Sequence, residues 1–365
     1  MIAPSLGLGV GFHATGALLS ANCYAPQKYV KRWPWEIFWM TQAAWCWLLL
    51  PILGAVATIP HLSLVLSEGP KDRMLLAFAM GILYGIGGTA FNVSIRYIGF
   101  SLTYAIAVGL SSILGTLVPP LARGDLSRVL HTAGAQYLLA GIAAGAAGIA
   151  LCGLAGRWKE NDLDSGGARG DFSMFRGLLL SLVAGVFSAV YGFSLDVAAP
   201  VADLAERYGA GIWKGNVLYL FSNSGAFLTA AAYSGYLAWR NRTAAQLLSL
   251  PDGLARNHLL ALATGSLWYG QFFFYNLGHV RLAGDYAFSS WAIHMILLVL
   301  FSNVAALFFR EWAGSRSRTR YAVAAGLFVL CSAVILLTYG NYVGQAATPA
   351  AGGHAGPRPH SPVPS

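Results

Sequence analysis

Charge is what this sequence has least of: Asp, Glu, Lys and Arg make up 10% of 365 residues, against 56% hydrophobic residues. A soluble fold is excluded on that ground, because so few polar residues cannot cover a core that would have to hide every long apolar run. Cysteine is scarce too. Cys23, Cys46, Cys152 and Cys331 fall in or at apolar runs without a CxxC pair, which excludes a thiol metal site and a redox dithiol and reads them as small core residues. No Walker lysine loop, HExxH or paired soluble-domain carboxylates are present, which leaves no ATP-driven or metal-hydrolase chemistry. The first apolar run has no basic stretch before it, as a signal peptide would, and is expected to stay in the mature protein. The net charge of +9 needs no nucleic acid, since basic loops beside membrane spans account for it.

What the chain does have is apolar length. At 1.5 Å per residue, about 20 apolar residues cross a roughly 30 Å hydrocarbon core. The runs predict ten spans, near residues 8–27, 33–54, 74–95, 101–121, 133–155, 174–196, 213–238, 258–278, 286–309 and 320–342. The charged, Gly/Ser-rich stretch 158–172 reads as a linker between two halves, 1–157 and 173–342, followed by a Pro/Gly-rich tail, 343–365, that reads as disordered. The halves echo each other weakly. AGVFSAVYG (Ala184 to Gly192) repeats GALLSANCY (Gly16 to Tyr24), and WYGQ at Trp268 repeats LYGI at Leu83. Five spans per half is an odd number, so two copies of one fold must insert in opposite orientations, giving an all-α membrane protein of two inverted five-helix repeats. Most Lys and Arg residues lie in loops one, three, five, seven and nine, which makes those loops cytoplasmic and both termini periplasmic.

Polar cargo concentrates between Trp268 and Asn303, on two apolar segments joined by a turn at Arg281 to Asp285. Trp268, Gln271, Tyr275 and Asn276 on the first and Trp291 and His294 on the second are costly in lipid and must face protein or water. Hydrogen bonding between helices would explain any one of them; together, with aromatics able to stack on a ring, they point to a polar substrate cavity. Tyr84, Asn92 and Arg96 form a second polar ladder on segment three, with Arg96 either an anchor at the cytoplasmic end or a substrate contact. Glu36 is either matched to a helix dipole or part of coupling or gating. His294 is either a packed, hydrogen-bonded imidazole or, at mid-span, the principal proton-coupling group; His13 and His279 lie closer to span ends. Spans three, four, eight and nine are expected to line the cavity, with spans five and ten packed together or peripheral.

The chain resembles the bacterial L-rhamnose/proton symporter family within the drug/metabolite transporter superfamily. The resemblance is carried by His13, Tyr24 to Glu36, Arg96 to Gly99, Asn257-His258, Trp268 to His279, Ser289 to Met295 and Arg310 to Trp312. It implies ten helices in the cytoplasmic membrane, a five-plus-five repeat, and uptake of L-rhamnose with a proton as coupling ion and no cofactor. The tail and the plain Gly/Ala content of the central helices depart from the family and leave the exact sugar open. A sugar's hydroxyls suit Asn, Gln, Tyr and His, its ring face suits Trp and Tyr, and the run Phe272 to Phe274 is a candidate patch for a methyl group. An exporter on the same scaffold would explain the aromatics equally well. A non-transport membrane scaffold would explain the helices but not the buried polar groups. The oligomeric state is left open.

Overall fold

The computed structural model of the protein describes residues 5–98, 100–122, 124, 127, 130–163, 173–247, 254–282, 289–310 and 312–347. Among them every regular element is helical. In lipid no water satisfies backbone N–H and C=O groups, so apolar runs of this length must close their hydrogen bonds internally. The long elements are α1 (Leu6–Ala21), α2 (Trp35–Ala44), α3 (Leu50–Thr58), α5 (Lys71–Ile98), α6 (Phe100–Ala122), α7 (Ala135–Leu163), α8 (Met174–Val197), α10 (Tyr219–Arg240), α11 (Leu254–His279), α12 (Ser290–Phe308) and α13 (Ser317–Ala347), with short α4 (Leu62–Glu68) and α9 (Ala199–Arg207) between them. A π-helical turn, Trp45–Leu49, joins α2 to α3. Pro51 explains it: proline lacks an N–H and collides with the carbonyl four residues back, and widening the turn relieves both.

Among the described residues seven segments are long and apolar enough to span a membrane: Trp35–Thr58, Lys71–Ser94, Leu102–Ala122, Ala135–Lys159, Phe175–Arg207, Ser290–Phe308 and Ser317–Gly344. The fold is thus an all-α, multi-pass membrane fold. Helices α1, α10 and α11 fall short of that measure because α1 has only 16 residues and α10 and α11 carry buried Ser222, Asn223, Asn257, Gln271 and Asn276. Large apolar side chains such as Phe175, Phe308 and Phe328 are more than 70% exposed, as a lipid-facing surface requires.

Several element ends differ from the sequence expectation. The first span ends at Ala21 and a 3₁₀ turn, Pro26–Tyr29, follows, so the chain leaves the helix before residue 27. Residues 158–163 of the expected linker continue α7, whereas 164–172 lie outside the described residues. The turn after Leu282 and the expected start of the ninth span at 286 also lie outside them, and α12 runs from Ser290. Helix α13 runs on to Ala347, with 348–365 outside the described residues. Cys23, Cys46 and Cys152 are buried as expected, but Cys331 is exposed on α13.

Spans five and ten, α7 and α13, pack together as expected. Gly141 and Gly148 admit Leu337 and Leu330, building a core with Ile142, Ile149 and Ile296. A polar clasp closes one end of this pair. Asp162, whose side chain is 2% exposed, accepts from Thr319 Oγ1 at 2.6 Å and from the Arg316 N–H at 2.9 Å. Those hydrogen bonds, first Thr319 and then Arg316, hold its carboxyl below the ordinary 3.8, against the opposing effect of burial. A carboxyl depressed in the fold stabilises it fully above the unfolded value and loses that contribution as pH falls through the folded value. Asp162→Asn should therefore lower the melting temperature in detergent at pH 7, and the gap from the parent should close as the pH is taken below 4. A gap of constant size across that range would show that the carboxylate charge is not what the clasp uses.

At the other end, α4, α9 and a 3₁₀ helix, Gly211–Val217, join with Ala55 and Met74 in one apolar cluster that includes Val65, Val201, Leu204 and Val217, forming a cap that sequence periodicity did not announce. Tyr208 donates to Glu68 at 2.7 Å, and Lys214 pairs with Asp203 and Glu206.

A polar and aromatic cavity as the candidate functional site

The polar helices α1, α5 and α11 converge with α2, α6 and α12 on a cavity of about 580 Å³, within the usual range for small-molecule sites of roughly 300–1,000 Å³. Helical spacing builds its walls. Tyr84, Gly88 and Asn92 recur every fourth residue on α5, and Trp268 and Gln271 are three apart on α11. Trp268 is the hub of an aromatic box, edge-on to Trp47 at 5.3 Å, Tyr24 at 5.4 Å and Trp39 at 5.9 Å between ring centres. Facing it is a drier wall of Val108, Met295, Leu298 and Val299, with Asn303 and Ser302 further along α12. Asn22, Asn92 and Asn303 each spend one amide N–H on the carbonyl four residues back. An amide has two donors and two acceptor lone pairs, so each keeps capacity for a solute's hydroxyls.

Of the residues singled out from sequence, Tyr84, Asn92, Trp268 and Gln271 share the cavity wall. Tyr275, Asn276, Trp291 and His294 lie behind or beyond it. Tyr275 is one turn past Gln271 and sits at the centre of a buried cluster, 5.2 Å from the His13 ring, 5.4 Å from His294 and 5.6 Å from Trp291. His294 is 2% exposed and belongs to the second turn of α12. Ser290 Oγ lies 2.8 Å from His13 Nε2. Trp291 fills a slot between Gly115 and Gly192 and donates from Nε1 to the Ser111 carbonyl at 3.1 Å, so it wedges helices apart and does not line the cavity. Asn276 donates to the Ile212 carbonyl at 3.2 Å and locks the 3₁₀ helix of the cap. Phe272 packs on Tyr191 and Tyr219, Phe273 on Trp213 and Phe274 on Phe12, so none of the three offers a patch to the cavity.

Glu36 is 5% exposed and accepts from Asn241 Nδ2 at 3.0 Å and Thr243 Oγ1 at 2.9 Å, tying α2 to the residues just past α10. Arg96 belongs to α5, one turn beyond Asn92; its side chain lies outside the described residues. Sequence reasoning missed Trp39, Trp47 and Tyr104 in the wall. Trp35 and Trp39, four apart, carried a signal that the run of tryptophans obscured, because tryptophan is also the usual interfacial anchor. The expected lining was too narrow as well: Ser20 of α1, Ile149, Cys152 and Gly153 of α7 and Ser188 of α8 also reach the cavity.

Among the described residues no group of three or more His, Cys, Asp or Glu side chains is placed to hold a metal. A multi-pass helical membrane protein with a polar, aromatic-walled cavity of this size belongs to the class of small-solute transporters. Residues 2–347 match the family described as L-rhamnose-proton symport protein (RhaT), and the chain belongs to that family, as a multi-pass protein of the bacterial inner membrane. It is similar to proteins named L-rhamnose-proton symporter from Pectobacterium atrosepticum, 32% identical over 346 residues, and Mannheimia succiniciproducens, 30% identical over 345 residues. Both alignments cover 92% of this chain and 98% of the relative. A third, from Klebsiella pneumoniae, is 30% identical over 340 residues with the same coverage.

Proposed function

We propose that the protein takes up L-rhamnose, or a closely related 6-deoxy sugar, together with protons, by alternating access between two inverted five-helix repeats of ten spans. The observation that carries this is on α11. One face of that helix presents Trp268 and Gln271 to the cavity and, one and two turns further, Tyr275 and His279 to the buried histidines. A single rigid element thus touches both the sugar site and the groups suited to carry a proton. In this reading Tyr84, Asn92, Trp268 and Gln271 bind the sugar, His294 and His13 take the proton, Glu36 clasps the cytoplasmic ends of its helices as part of a gate, and Arg96 anchors the cytoplasmic end of span three.

The repeat is supported by packing pairs that come in equivalent couples. Counting α1, α2 with α3, α5, α6 and α7 as spans one to five and α8, α10, α11, α12 and α13 as six to ten, α1 packs on α11 as α5 does on α8, α1 on α12 as α6 does on α8, and α2 on α11 as α5 does on α10. The couples α2–α10, α6–α12 and α7–α13 map onto themselves. With the Lys- and Arg-rich loops cytoplasmic and both termini periplasmic, the cavity mouth at Lys28, Lys159 and Trp312 faces the cytoplasm and the α4–α9 cap faces the periplasm. The wide cavity and closed cap then describe an inward-facing form. Residues 1–157 and 173–342 serve as the two halves, 158–172 as their linker and 343–365 as a tail without a transport role.

Growth tests the direction and the substrate. A host deleted for its own rhamnose transporter should regain growth on L-rhamnose when it carries this gene. Resistance to cationic compounds without restored growth would instead make the cavity an exporter's.

A further inference from the structure

His13 on α1 and Ser290 in the first turn of α12 are both fully buried, and Ser290 Oγ lies 2.8 Å from His13 Nε2. Among the described residues this is the one hydrogen bond of the ring, Nδ1 having no partner. The preceding residue ties the start of α12 to another helix: Asn341 on α13 donates from Nδ2 to Ser289 Oγ at 2.9 Å. The helix start is thus held at two points, one ionisable and one not. Behind the imidazole there is no slack, because a Cβ on Gly278 would come within 2.8 Å of both Cδ2 and Nε2 of His13. A change in the His13 bond must therefore be taken up on the side of α12. The titratable groups around His13 are Tyr275 on α11, 5.2 Å away between ring centres, His279, stacked on Tyr275 at 5.7 Å, and His294 on α12, at 5.8 Å. From α13 the side chain that reaches this turn is the uncharged Asn341. Arg281, just past the end of α11, is spent on the Leu277 carbonyl at 3.3 Å and on the Phe12 ring. Neither His13 nor Ser290 lines the sugar cavity, but Met295, Leu298, Val299 and Asn303, on the following turns of α12, do.

We propose that Ser290 is the positioning residue that carries the proton state of His13 to the sugar cavity, by drawing the start of α12 onto α1 when His13 is charged. The inference rests on the transport reading above, in which His13 takes a proton. A hydroxyl both donates and accepts, so the Ser290 bond is kept in either state of the imidazole. When His13 gains a proton, Nε2 carries a hydrogen and donates it to Ser290 Oγ. A hydrogen bond from a charged donor is shorter than a neutral one and roughly twice as strong. The bond between Asn341 and Ser289 joins two neutral groups and does not change with pH, so it is the fixed point about which the helix start shifts. Helix α12 is continuous from Ser290 to Phe308, and a displacement of its first turn reaches Met295 to Asn303 without a break. By reciprocity, sugar against that wall changes how firmly His13 holds its proton.

The test uses the full-length protein in vesicles, with Ser290→Ala, Ser290→Thr and, as the neighbouring control, Ser289→Ala. Under an inward proton gradient Ser290→Ala should accumulate roughly tenfold less L-rhamnose than the parent, the scale of one hydrogen bond to a charged group. The pH of half-maximal uptake should move by about one unit. Exchange between equal sugar concentrations, which moves no net proton, should fall far less. Ser290→Thr, which keeps the hydroxyl, should bring the pH profile back, and Ser289→Ala should keep the parent's profile. An unmoved profile in Ser290→Ala would overturn the proposal. So would an equal displacement in Ser289→Ala, or loss of exchange together with accumulation in both Ser290 variants, since each would mean that this turn has only to be packed. A parent that does not accumulate sugar would sink the transport reading itself, whereas a parent that does, beside variants that match it, would sink the role of Ser290 alone.

Discussion

Trp268→Ala should lower L-rhamnose exchange in reconstituted vesicles by about a hundredfold, and Trp268→Phe should recover most of the loss. Two effects combine. Base-to-aromatic stacking is worth about 1–3 kcal/mol in nucleic-acid sites, and a sugar face over an indole falls toward the lower part of that range. The indole also holds Trp39, Trp47 and Tyr24 edge-on around the cavity, and its removal leaves those rings without the neighbour that fixes them. Each edge-to-face contact contributes about 0.5–1.5 kcal/mol, so a loss near 3 kcal/mol at the transport step is expected. Gln271→Ala is the milder comparison. It removes hydrogen bonds worth about 1 kcal/mol each to a neutral hydroxyl and should weaken apparent affinity by roughly tenfold without disturbing the ring box. Equal effects of the two substitutions would mean that the cavity wall is not organised around Trp268.

Gly81→Leu or Gly225→Leu should prevent the protein from accumulating in a folded form. A Cβ on Gly81 would lie 2.0 Å from the Ser222 carbonyl oxygen, and one on Gly225 2.1 Å from the Phe78 carbonyl oxygen, so α5 and α10 touch backbone to backbone at both points. A carbonyl inside a helix cannot rotate away as a side chain can. The helices must separate instead, at a cost of about 1–3 kcal/mol or more for each added bulk, comparable with much of a protein's total stability. In the inverted-repeat reading this pair joins spans three and seven across the halves, and its loss breaks the fold and the cavity together. Gly88→Ala is the control, because its Cβ would meet nothing within 4 Å. Yield of monodisperse protein and its melting temperature in detergent separate the outcomes. Normal yield and stability for Gly81→Leu would show that the α5–α10 contact is looser than described.

Composition alone made the class legible, since lipid demands helices and the runs have the right length. The pairing of spans five and ten was legible because both are nearly free of polar residues, and two such helices have only each other and lipid to face. The cavity was partly legible. Polar residues inside apolar runs are informative, but a helix carries them along 3.6-residue turns, and a run cannot say where along its length the cavity stops. Gln271 reaches the cavity and Tyr275, one turn on, does not; sequence treats the two alike. Trp39 and Trp47 went unnoticed because their type is as common at membrane interfaces as in sugar sites.

Sugar moves against its gradient at the expense of a proton gradient. The most direct measurement is L-rhamnose content in vesicles holding the purified protein, with the outside made acidic relative to the lumen. Internal sugar should rise above the external concentration, collapse to it when a protonophore is added, and do neither in protein-free vesicles. Sugar that equilibrates at the same rate and to the same level with or without the proton gradient would contradict the account and leave a facilitator.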